Sequence, residues 1–347
     1  MIGAVFHGPG QLEVGEVSKP EISSGEVLVK VKANTVCGTD VRILRGEKTR
    51  GITTPVILGH ELAGNIAEVG RNVEGYEVGS PVVMAPAIAC HHCFFCQRGM
   101  ENVCLNKRIM GNIVDGGLAE FVRIPADAVR ARNLIVAGED LPPEHLALAE
   151  PLACCVNGQR NYRVDVDDAV LILGAGPIGL FHLQLALLAG ARTVIVSNRY
   201  EVRRNFATEL GAHVTVDPTS EDLWEAVADH TDGLGVDVAV ICVGKPQLVN
   251  DALRVTRKGG RVNVFAGLAG DGWAEVEANL IHYNELVVTG ASDSLRRDYE
   301  TALRLIESGS IDAKRMVTHR FPLRDTEKAI ETSAAGDGIK VAVMPGE

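Results

Sequence analysis

Four cysteines lie close together between residues 90 and 104 of this chain, in the pattern C-x2-C-x2-C-x7-C. They are Cys90, Cys93, Cys96 and Cys104. Four thiolates at such short spacing suit one tetrahedral zinc ion, with no coordination position left for a substrate. Disulfides and a redox-active C-x2-C pair are the alternatives, and a reducing compartment disfavours the disulfides. The pattern therefore predicts a structural zinc site, with His91 and His92 outside its coordination shell.

A second set of possible metal ligands is dispersed along the chain. It comprises Cys37 in the sequence CGTD, His60 and Glu61 in GHELAG, and Glu150 immediately before a proline. Taken singly, none of these residues predicts a metal site, because a lone cysteine is usually a small core residue and a lone histidine a satisfied polar one. For Glu150 the alternative role is to cap a helix that begins at Pro151.

A glycine-rich sequence, GAGPIG at 174–179, follows a short apolar run and precedes a helical pattern. This context predicts a dinucleotide-binding turn, although a glycine-rich turn without a ligand is the alternative. Gly174 permits the tight turn, Gly176 lets the backbone approach a pyrophosphate, and Gly179 lets the helix pack on the strand. The unpaired amides at the helix start would bind the anion. The expected cofactor contacts here are Gly174, Gly176, Pro177, Ile178, Gly179, Val243 and Gly267.

The choice between NAD and NADP depends on the residue about 20 positions beyond the glycines, where an acidic side chain usually binds the ribose 2′-hydroxyl. That position is Asn198, which brings no charge to repel a 2′-phosphate. Arg199, with Arg203 or Arg204, could pair with such a phosphate, and this favours NADP slightly. Asn198 can also hydrogen-bond a free 2′-hydroxyl, and the alternative for the arginines is a solvated helix face.

The elements that would position these residues differ between the two halves of the chain. Residues 27–33 alternate apolar and polar, and turn residues recur to about residue 130, which predicts a β-rich domain. From residue 168 onward short apolar runs alternate with helical patterns, which predicts a parallel sheet covered on both faces. The expected strands of this half are 169–173, 193–196, 214–216, 236–243, 260–265 and 285–289, and the expected helices are 178–189, 200–210, 223–230 and 248–255. Beyond residue 290 we expect a helix at 298–308 and a final strand at 340–344.

Composition excludes several classes of function. The chain has 347 residues, enough for two domains, with 34 Lys plus Arg against 45 Asp plus Glu and a net charge of −11. Such an acidic chain disfavours duplex nucleic acid and anionic membrane surfaces as partners. The apolar stretch 169–196 contains glycine, proline and polar residues, which argues against a membrane span. Residues 1–10 lack a basic segment followed by an apolar one, so we expect a cytoplasmic protein.

Taken together, these motifs resemble the zinc-dependent medium-chain dehydrogenase/reductase superfamily (the zinc alcohol dehydrogenases), and within it most closely the sorbitol, or polyol (L-iditol 2-), dehydrogenase branch. The resemblance covers essentially the whole chain. The motifs that carry it are CGTD at 37–40, GHELAG at 59–64, the cysteine cluster, GGLAEF at 116–121, GAGPIG at 174–179 and THRFPL at 318–323. It implies an α/β protein with a GroES-like, β-rich catalytic domain at 1–156 and 291–347. A Rossmann domain with a doubly wound parallel sheet would occupy 157–290.

The resemblance also implies a catalytic zinc ion held by Cys37, His60 and a carboxylate. The polyol branch has glutamate at the position of Glu150, where other alcohol dehydrogenases have a cysteine, and Glu61 and Glu150 would exchange in the coordination shell. Asp40 would orient the His60 imidazole. The active site would lie in the cleft between the two domains. Two zinc ions per chain and a homodimer or homotetramer are implied as well.

Two departures from this branch affect the expected substrate. Arg42 stands where sorbitol dehydrogenases carry a histidine of the proton path, so that only the Thr39 hydroxyl is assigned to carry the proton toward the cofactor ribose. The sequence Gly290-Ala291-Ser292 replaces an arginine near the polyol hydroxyls. We therefore predict hydride transfer between NAD(P) and a secondary alcohol of a polyol, sugar alcohol or cyclitol, giving the ketone. The alternative substrate is a threonine-type amino alcohol. The alternative classes of protein are a non-catalytic nucleotide-binding homologue and a zinc-stabilised nucleic-acid-binding module.

Overall fold

The computed structural model describes residues 1–138, 140–270 and 272–346, and it divides the chain into two compact units. The first unit comprises Met1–Ala153 and Asp293–Glu347, and the second comprises Cys154–Ser292. The range predicted for the Rossmann domain, 157–290, lies inside the second unit. None of the helices in the described ranges combines the length and the apolar character that a bilayer-spanning segment needs.

Up to residue 162 the chain consists mainly of strands, as its alternating sequence predicts. The strands are β1 (Ile2–Gly8), β2 (Gln11–Glu16), β3 (Val27–Thr35), β4 (Val56–Ile57), β5 (Glu61–Val69), β6 (Pro81–Met84), β7 (Ala87–Ile88), β8 (Arg108–Ile109), β9 (Phe121–Ile124) and β10 (Leu134–Val136). The helices are α1 (Gly38–Leu44), α2 (Ala126–Arg130), α3 (Pro143–Leu146) and α4 (Ala149–Tyr162), with 3₁₀ turns at Cys96–Arg98 and Glu101–Val103.

The second unit alternates strands and helices. Its strands are β11 (Ala169–Leu173), β12 (Thr193–Ser197), β13 (Val214–Val216), β14 (Val236–Ile241), β15 (Thr256–Val264) and β16 (Val287–Gly290). Its helices are α5 (Pro177–Leu188), α6 (Glu201–Glu209), α7 (Leu223–Ala228), α8 (Leu248–Val255) and α9 (Ala278–Tyr283). The six strands are parallel in the order β13-β12-β11-β14-β15-β16. Every residue of β11 is buried, as expected of a central strand covered on both faces.

The predicted elements of this unit all form, with differences at their ends. The largest is in β15, which we predicted from residue 260 and which begins at Thr256. The residues before 260, Arg-Lys-Gly, have a turn-like composition, but Thr256 pairs with Val236 and the register shifts after this pair. Tertiary pairing thus extends a strand that local sequence preferences would have ended.

The chain completes the first unit with α10 (Arg296–Glu307), α11 (Ala313–Met316), β17 (Val317–Pro322), a 3₁₀ turn at Leu323–Asp325, α12 (Thr326–Ala335) and β18 (Lys340–Met344). The main sheet of this unit has the order β10-β6-β5-β3-β18-β17, with β9 also paired to β3. Small sheets β2-β1-β4 and β7-β8 accompany it. The order of the main sheet places the last strand of the chain beside β3, and β3 beside β5.

A histidine is buried in the core of the second unit, on α5. His182 is 1% exposed, and its Nδ1 lies 2.8 Å from the Tyr162 hydroxyl oxygen. The Phe265 ring packs edge-on against it, with 4.6 Å between ring centroids. Its Nε2 has no hydrogen-bond partner among the described residues. Burial lowers the pKa of His182 to about 3, so the folded protein holds a neutral imidazole there.

Acidification is therefore expected to destabilise the second unit through His182. The unfolded chain, with an ordinary histidine pKa of about 6.5, takes up the proton first as the pH falls. The free energy of unfolding then decreases by up to about 1.4 kcal/mol per pH unit from about pH 6.5 toward pH 3. The His182→Phe variant should lose this slope between pH 7 and pH 5 in denaturant titrations. The exposed His230, changed to Phe, is the matched control, and an unaltered slope in His182→Phe would contradict the assignment.

Candidate zinc and dinucleotide sites

The four cysteines of the predicted cluster converge in the first unit. The Sγ–Sγ distances are 3.5 Å for Cys93 and Cys96, 3.9 Å for Cys93 and Cys104, and 3.4 Å for Cys90 and Cys104. Four thiolates at about 2.3 Å from one tetrahedral zinc ion are separated by about 3.8 Å, whereas a disulfide requires about 2.05 Å. The cluster thus fits a four-thiolate zinc ion and contains no disulfide.

Backbone amides surround these sulfur atoms. The amides of Cys90 and Asn106 donate to the Cys104 Sγ at 3.3 and 3.4 Å. A backbone hydrogen bond from His92 is the largest cause that lowers the pKa of Cys90, to about 5, and so favours the thiolate that a metal requires. The side chains of His91 and His92 are exposed and are not among the donor atoms gathered in the cluster.

A second donor group forms from Cys37, His60 and Glu61, whose ligand atoms all lie within 4.8 Å of one another. Strand pairing brings them together, because Glu61 opens β5 and pairs with Thr35 at the end of β3. The chain leaves β3 and enters α1 at Cys37, which is the N-cap residue of this helix. A thiolate, an imidazole and a carboxylate are all common ligands of zinc, so this donor group fits a zinc ion.

Asp40 lies in the first turn of α1, and its carboxylate lies next to the His60 imidazole. Its carboxylate accepts a hydrogen bond from the Cys37 amide at 2.9 Å, and its Oδ1 lies 3.5 Å from the His60 Nδ1. Burial raises the pKa of Asp40, but the charge of the nearby His60 and the hydrogen bond from the Cys37 amide outweigh this effect and lower the pKa. A histidine whose Nδ1 faces a carboxylate presents Nε2 to a metal, which is the usual arrangement in zinc sites.

The Glu61 carboxylate is held by two groups that sequence analysis missed. Lys340 Nζ lies 2.7 Å from Oε1 and 2.6 Å from Oε2, and the Thr35 hydroxyl donates to Oε2. Glu61 and Thr35 are 0% exposed, and Lys340 is 4% exposed. The three residues lie at the ends of neighbouring strands, β5, β3 and β18. No local signal marks Lys340, because it is 279 positions from Glu61 and belongs to an ordinary apolar strand pattern.

Glu150 lies in the first turn of α4, which begins at Ala149, so the residue is inside the helix and does not precede it as a cap. It is 8% exposed. Burial is the largest of the causes that raise the pKa of Glu150 to about 7. The charges of Glu61 and Asp293 raise this pKa further, whereas the charge of His60 lowers it. Its carboxylate is thus within electrostatic reach of His60 and Glu61. Among the described residues, the donor atoms gathered within 4.8 Å do not include Glu150, so the structure brings together three of the four predicted ligands.

The glycine-rich turn joins β11 to α5. Gly174 has a φ of +114°, and a Cβ there would overlap the side chain of Val243. A Cβ on Gly179 would overlap the carbonyl oxygen of Gly174, so only glycine permits this turn. Gly176 is the N-cap residue of α5, whose first residues are Pro177 and Ile178. The amides at this helix start are therefore presented in the way that pyrophosphate binding requires.

A cavity of about 320 Å³ lies next to this turn and contains most of the predicted cofactor contacts. Its predicted members are Gly174, Gly176, Asn198, Arg199, Arg203 and Val243. Residues not predicted also line it, namely Leu173, Ser197, Tyr200, Pro218, Cys242, Lys245 and Leu248. Gly267 is not one of the residues that line this cavity. It packs against Gly244, and a Cβ added to Gly244 would overlap the carbonyl oxygen of Gly267.

The arginines near the ribose position have different surroundings. Arg199 stacks on the Tyr200 ring, with 4.6 Å between its guanidinium carbon and the ring centroid. Arg204 donates to the Asn198 carbonyl oxygen at 2.8 Å and pairs with Asp217 at 3.1 Å. The Asn198 side chain accepts a hydrogen bond from the Tyr200 amide at 2.8 Å. Arg204 is thus engaged within the unit, whereas Arg199 and Arg203, together with Lys245, are cations that line the cavity.

Two sequence families match this chain. The alcohol dehydrogenase GroES-like domain matches residues 23–132, and the zinc-binding dehydrogenase domain matches residues 177–308. L-threonine 3-dehydrogenase of Pyrococcus furiosus is 37% identical over 96% of this chain and 94% of its own length. D-arabitol-phosphate dehydrogenase of Enterococcus avium is 32% identical over 99% of this chain and 97% of its own length.

A solved structure extends the similarity to the whole fold. A zinc-binding dehydrogenase of Sinorhizobium meliloti, determined with bound NADP, superposes with a TM-score of 0.93 at 36% identity and covers 99% of both chains. These matches confirm the resemblance that the motifs indicated, and they confirm the α/β class with a GroES-like and a parallel-sheet part. The chain belongs to the zinc-binding dehydrogenases of the zinc alcohol dehydrogenase superfamily.

Proposed function

We propose that this dehydrogenase transfers hydride between NAD(P) and a secondary alcohol of a polyol, sugar alcohol or cyclitol, giving the ketone. The observation that carries the proposal is the donor group of Cys37, His60 and Glu61, with Glu150 in electrostatic reach. The family resemblance implies that Glu150 stands where other alcohol dehydrogenases have a second thiolate. A carboxylate is a harder donor and leaves zinc more electron-poor, which favours an alcohol that chelates through a neighbouring hydroxyl or amino group.

The residues of the site have different proposed roles in the reaction. Cys37 and His60 would hold the catalytic zinc ion together with Glu61 or Glu150, and the cysteine cluster would hold a second, structural ion. When bound, the catalytic ion supplies Lewis-acid activation that lowers the pKa of the substrate hydroxyl toward neutrality. The half-buried Thr39 hydroxyl, two residues after Cys37, would accept the alcohol proton as it passes its own proton on toward the cofactor ribose. The carbinol hydrogen then leaves as hydride for the nicotinamide ring.

A substitution of Glu150 tests the role of the carboxylates at the proposed zinc site. We expect Glu150→Gln to lower kcat/KM for (2R,3R)-butanediol by about 100-fold, because an amide is a weaker donor than a carboxylate and several kcal/mol of activation depend on the ion. Ethanol should be a poor substrate of both proteins. A helix-terminal role alone would instead cost about 1 kcal/mol of stability and little activity. Kinetics and zinc content distinguish the two, and near-native rates on the diol with zinc retained would exclude the catalytic role.

Asn198 tests the choice of cofactor. Asn198→Asp should shift the ratio of kcat/KM values strongly toward NAD, because the new charge repels a 2′-phosphate and accepts a hydrogen bond from a 2′-hydroxyl. The substitution preserves the acceptor for the Tyr200 amide, so the loop should keep its conformation. The ratio is measured with both cofactors before and after the change. An unchanged ratio would mean that residue 198 does not reach the ribose.

An amino alcohol is the second candidate substrate. The similarity to L-threonine 3-dehydrogenase over nearly the whole chain supports it, as does the preference of a hard zinc site for a chelating amino group. A panel of polyols, cyclitols and amino alcohols, assayed with NAD and NADP through the absorbance of the reduced cofactor, decides between the candidates. The proposed function fails if fully zinc-loaded protein oxidises no member of the panel.

We further propose that the protein is a homodimer or homotetramer. Strand β16 is one of the two edge strands of the six-stranded sheet, and two of its apolar side chains, Val287 and Val288, are 52% and 40% exposed. An apolar edge strand is a ready surface for pairing with another copy. Molar mass by light scattering tests this proposal. The thiolate-rich zinc cluster also suits the reducing cytoplasm, where we place the protein.

A further inference from the structure

The buried ion pair of Lys340 and Glu61 lies at the donor group, but the proposed chemistry does not use the lysine. Lys340 Nζ is 2.7 Å from Oε1 and 2.6 Å from Oε2, so it contacts both oxygens of the Glu61 carboxylate. The Thr35 hydroxyl also donates to Oε2. The same carboxylate supplies one of the three donor atoms that lie within 4.8 Å of one another. A side chain that could bind a metal is therefore already held by two other groups.

The register of neighbouring strands fixes these contacts. Glu61 pairs with Thr35 across β5 and β3, and Thr35 pairs with Ala342 across β3 and β18. Lys340 is the first residue of β18 and pairs with Val317, the first residue of β17. Side chains carried by strands of one sheet are positioned more precisely than side chains on loops. The ammonium group is thus a fixed part of the site.

The charge of this ammonium group acts directly on the carboxylate. Burial lowers the pKa of Lys340, but the charges of Glu61 and Cys37 and the hydrogen bond to Glu61 outweigh this effect and raise it. Both side chains are almost fully buried, so solvent screens the interaction little. A zinc ion at the donor group and the ammonium ion repel each other and compete for the same negative charge. Lys340 therefore makes Glu61 a weaker zinc ligand than a carboxylate without a cationic partner.

We propose that Lys340, assisted by Thr35, is a positioning residue that restrains Glu61 from binding the catalytic zinc ion permanently. A catalytic zinc site keeps one coordination position open for the substrate, whereas a structural site does not. Glu61 is near enough to the other two donor atoms to fill that position, and its ion pair with Lys340 opposes this. The inference rests on the proposed catalytic zinc site and explains how a coordination position stays available there.

Zinc affinity, measured without substrate, tests the inference separately from the proposed function. Lys340→Met removes the competing cation, so the ion at the Cys37 group should bind at least about tenfold more tightly. A merely structural role predicts weaker binding, because a disturbed donor group holds the ion less well. Competition with a chelator gives the dissociation constants, and the Cys37→Ser variant shows which of the two ions is the catalytic one. Unchanged or weaker binding in Lys340→Met would overturn the proposal.

The effect of Lys340 must also act through Glu61. Removal of a positive charge strengthens zinc binding by simple electrostatics even if Glu61 never moves, so Lys340→Met is compared in native and Glu61→Gln backgrounds. We expect less than about threefold tightening in the Glu61→Gln background, because the two residues are coupled. Equal tightening in both backgrounds would refute the positioning role. Lys328→Met, which removes an exposed charge of the same unit, should leave the affinity unchanged.

Cobalt(II) in place of zinc shows whether Glu61 enters the coordination shell. Its visible absorption bands depend on the number and type of ligands, and the bands of the catalytic ion are those that Cys37→Ser removes. Lys340→Met should shift these bands. Lys340→Arg should keep the native spectrum, because a guanidinium group can also contact both oxygens of a carboxylate. Identical spectra for native protein and Lys340→Met would contradict the proposal.

Thr35→Val covers the case in which Lys340→Met does not fold. This variant removes one hydrogen bond to Glu61 and keeps the ion pair. Zinc binding should become about two- to fivefold tighter, which corresponds to the net contribution of one hydrogen bond. Unchanged or weaker binding would overturn the proposal. Failure of zinc-loaded protein to oxidise any alcohol would refute the proposed function instead, since zinc affinity and cobalt spectra require no substrate.

Discussion

Cys37→Ser should abolish turnover, lowering kcat/KM by at least about 10³-fold, and leave the fold largely intact. The thiolate is one of three donor atoms that lie within 4.8 Å of one another, and a serine hydroxyl is a poor zinc ligand at neutral pH. Lewis-acid activation contributes several kcal/mol to such reactions, and each 1.4 kcal/mol is tenfold in rate. The fold should survive because Cys37 is half-buried and the capping contact from Asp40 is to its backbone amide. Initial rates, zinc content and thermal unfolding measure these effects.

Cys93→Ser should instead lower the stability of the fold, and it is the control for Cys37→Ser. Its sulfur lies 3.5 and 3.9 Å from those of Cys96 and Cys104, and the loop between β7 and β8 that carries them contains only short 3₁₀ turns. Metal binding is coupled to folding in such loops, so the variant should lose one zinc ion and unfold at a lower temperature. Native protein should contain two zinc ions per chain. Similar behaviour of the two variants, or one ion in fully loaded native protein, would refute the assignment of two separate sites.

Lys340→Met should destabilise the first unit by about 3–5 kcal/mol, the typical cost of leaving one member of a buried ion pair without its partner. Lys340 contacts both oxygens of Glu61, at 2.7 and 2.6 Å, and both side chains are almost fully buried. In zinc-free protein, the Thr35 hydroxyl is then the one side-chain contact of the Glu61 carboxylate that remains among the described residues. Denaturant unfolding of the native and variant proteins, prepared with the same zinc content, gives the difference in free energy.

The double variant Glu61→Gln/Lys340→Met isolates the pair. A glutamine removes the uncompensated charge, so the double variant should be more stable than Lys340→Met alone, and the coupling energy of the cycle should be large. Lys328→Met, a change at an exposed residue of the same unit, is the control for the loss of a positive charge. A small, additive effect of Lys340→Met and Glu61→Gln would show that the two side chains do not act as a pair.

Local sequence chemistry determined much of this protein without reference to its fold. The C-x2-C-x2-C-x7-C pattern predicts its metal cluster because the ligands are close along the chain, so short turns suffice to bring the four sulfur atoms together. The GAGPIG turn is equally local, since the backbone of Gly174 and the packing of Gly179 admit no side chain. The alternating strands and helices of the second unit follow from periodicity, although β15 begins four residues before its predicted start because it pairs with β14.

Only the tertiary structure decided how the donor group of Cys37, His60 and Glu61 is arranged. Cys37 and His60 are related by the pairing of β3 with β5, and their association was implied by family resemblance and not by spacing. The ammonium of Lys340 reaches Glu61 because β18, the last strand, pairs with β3, and nothing in the local sequence distinguishes it from other lysines. Sequence determines interactions that act over a few residues, whereas burial and charge pairing depend on segments that meet only after the chain has folded.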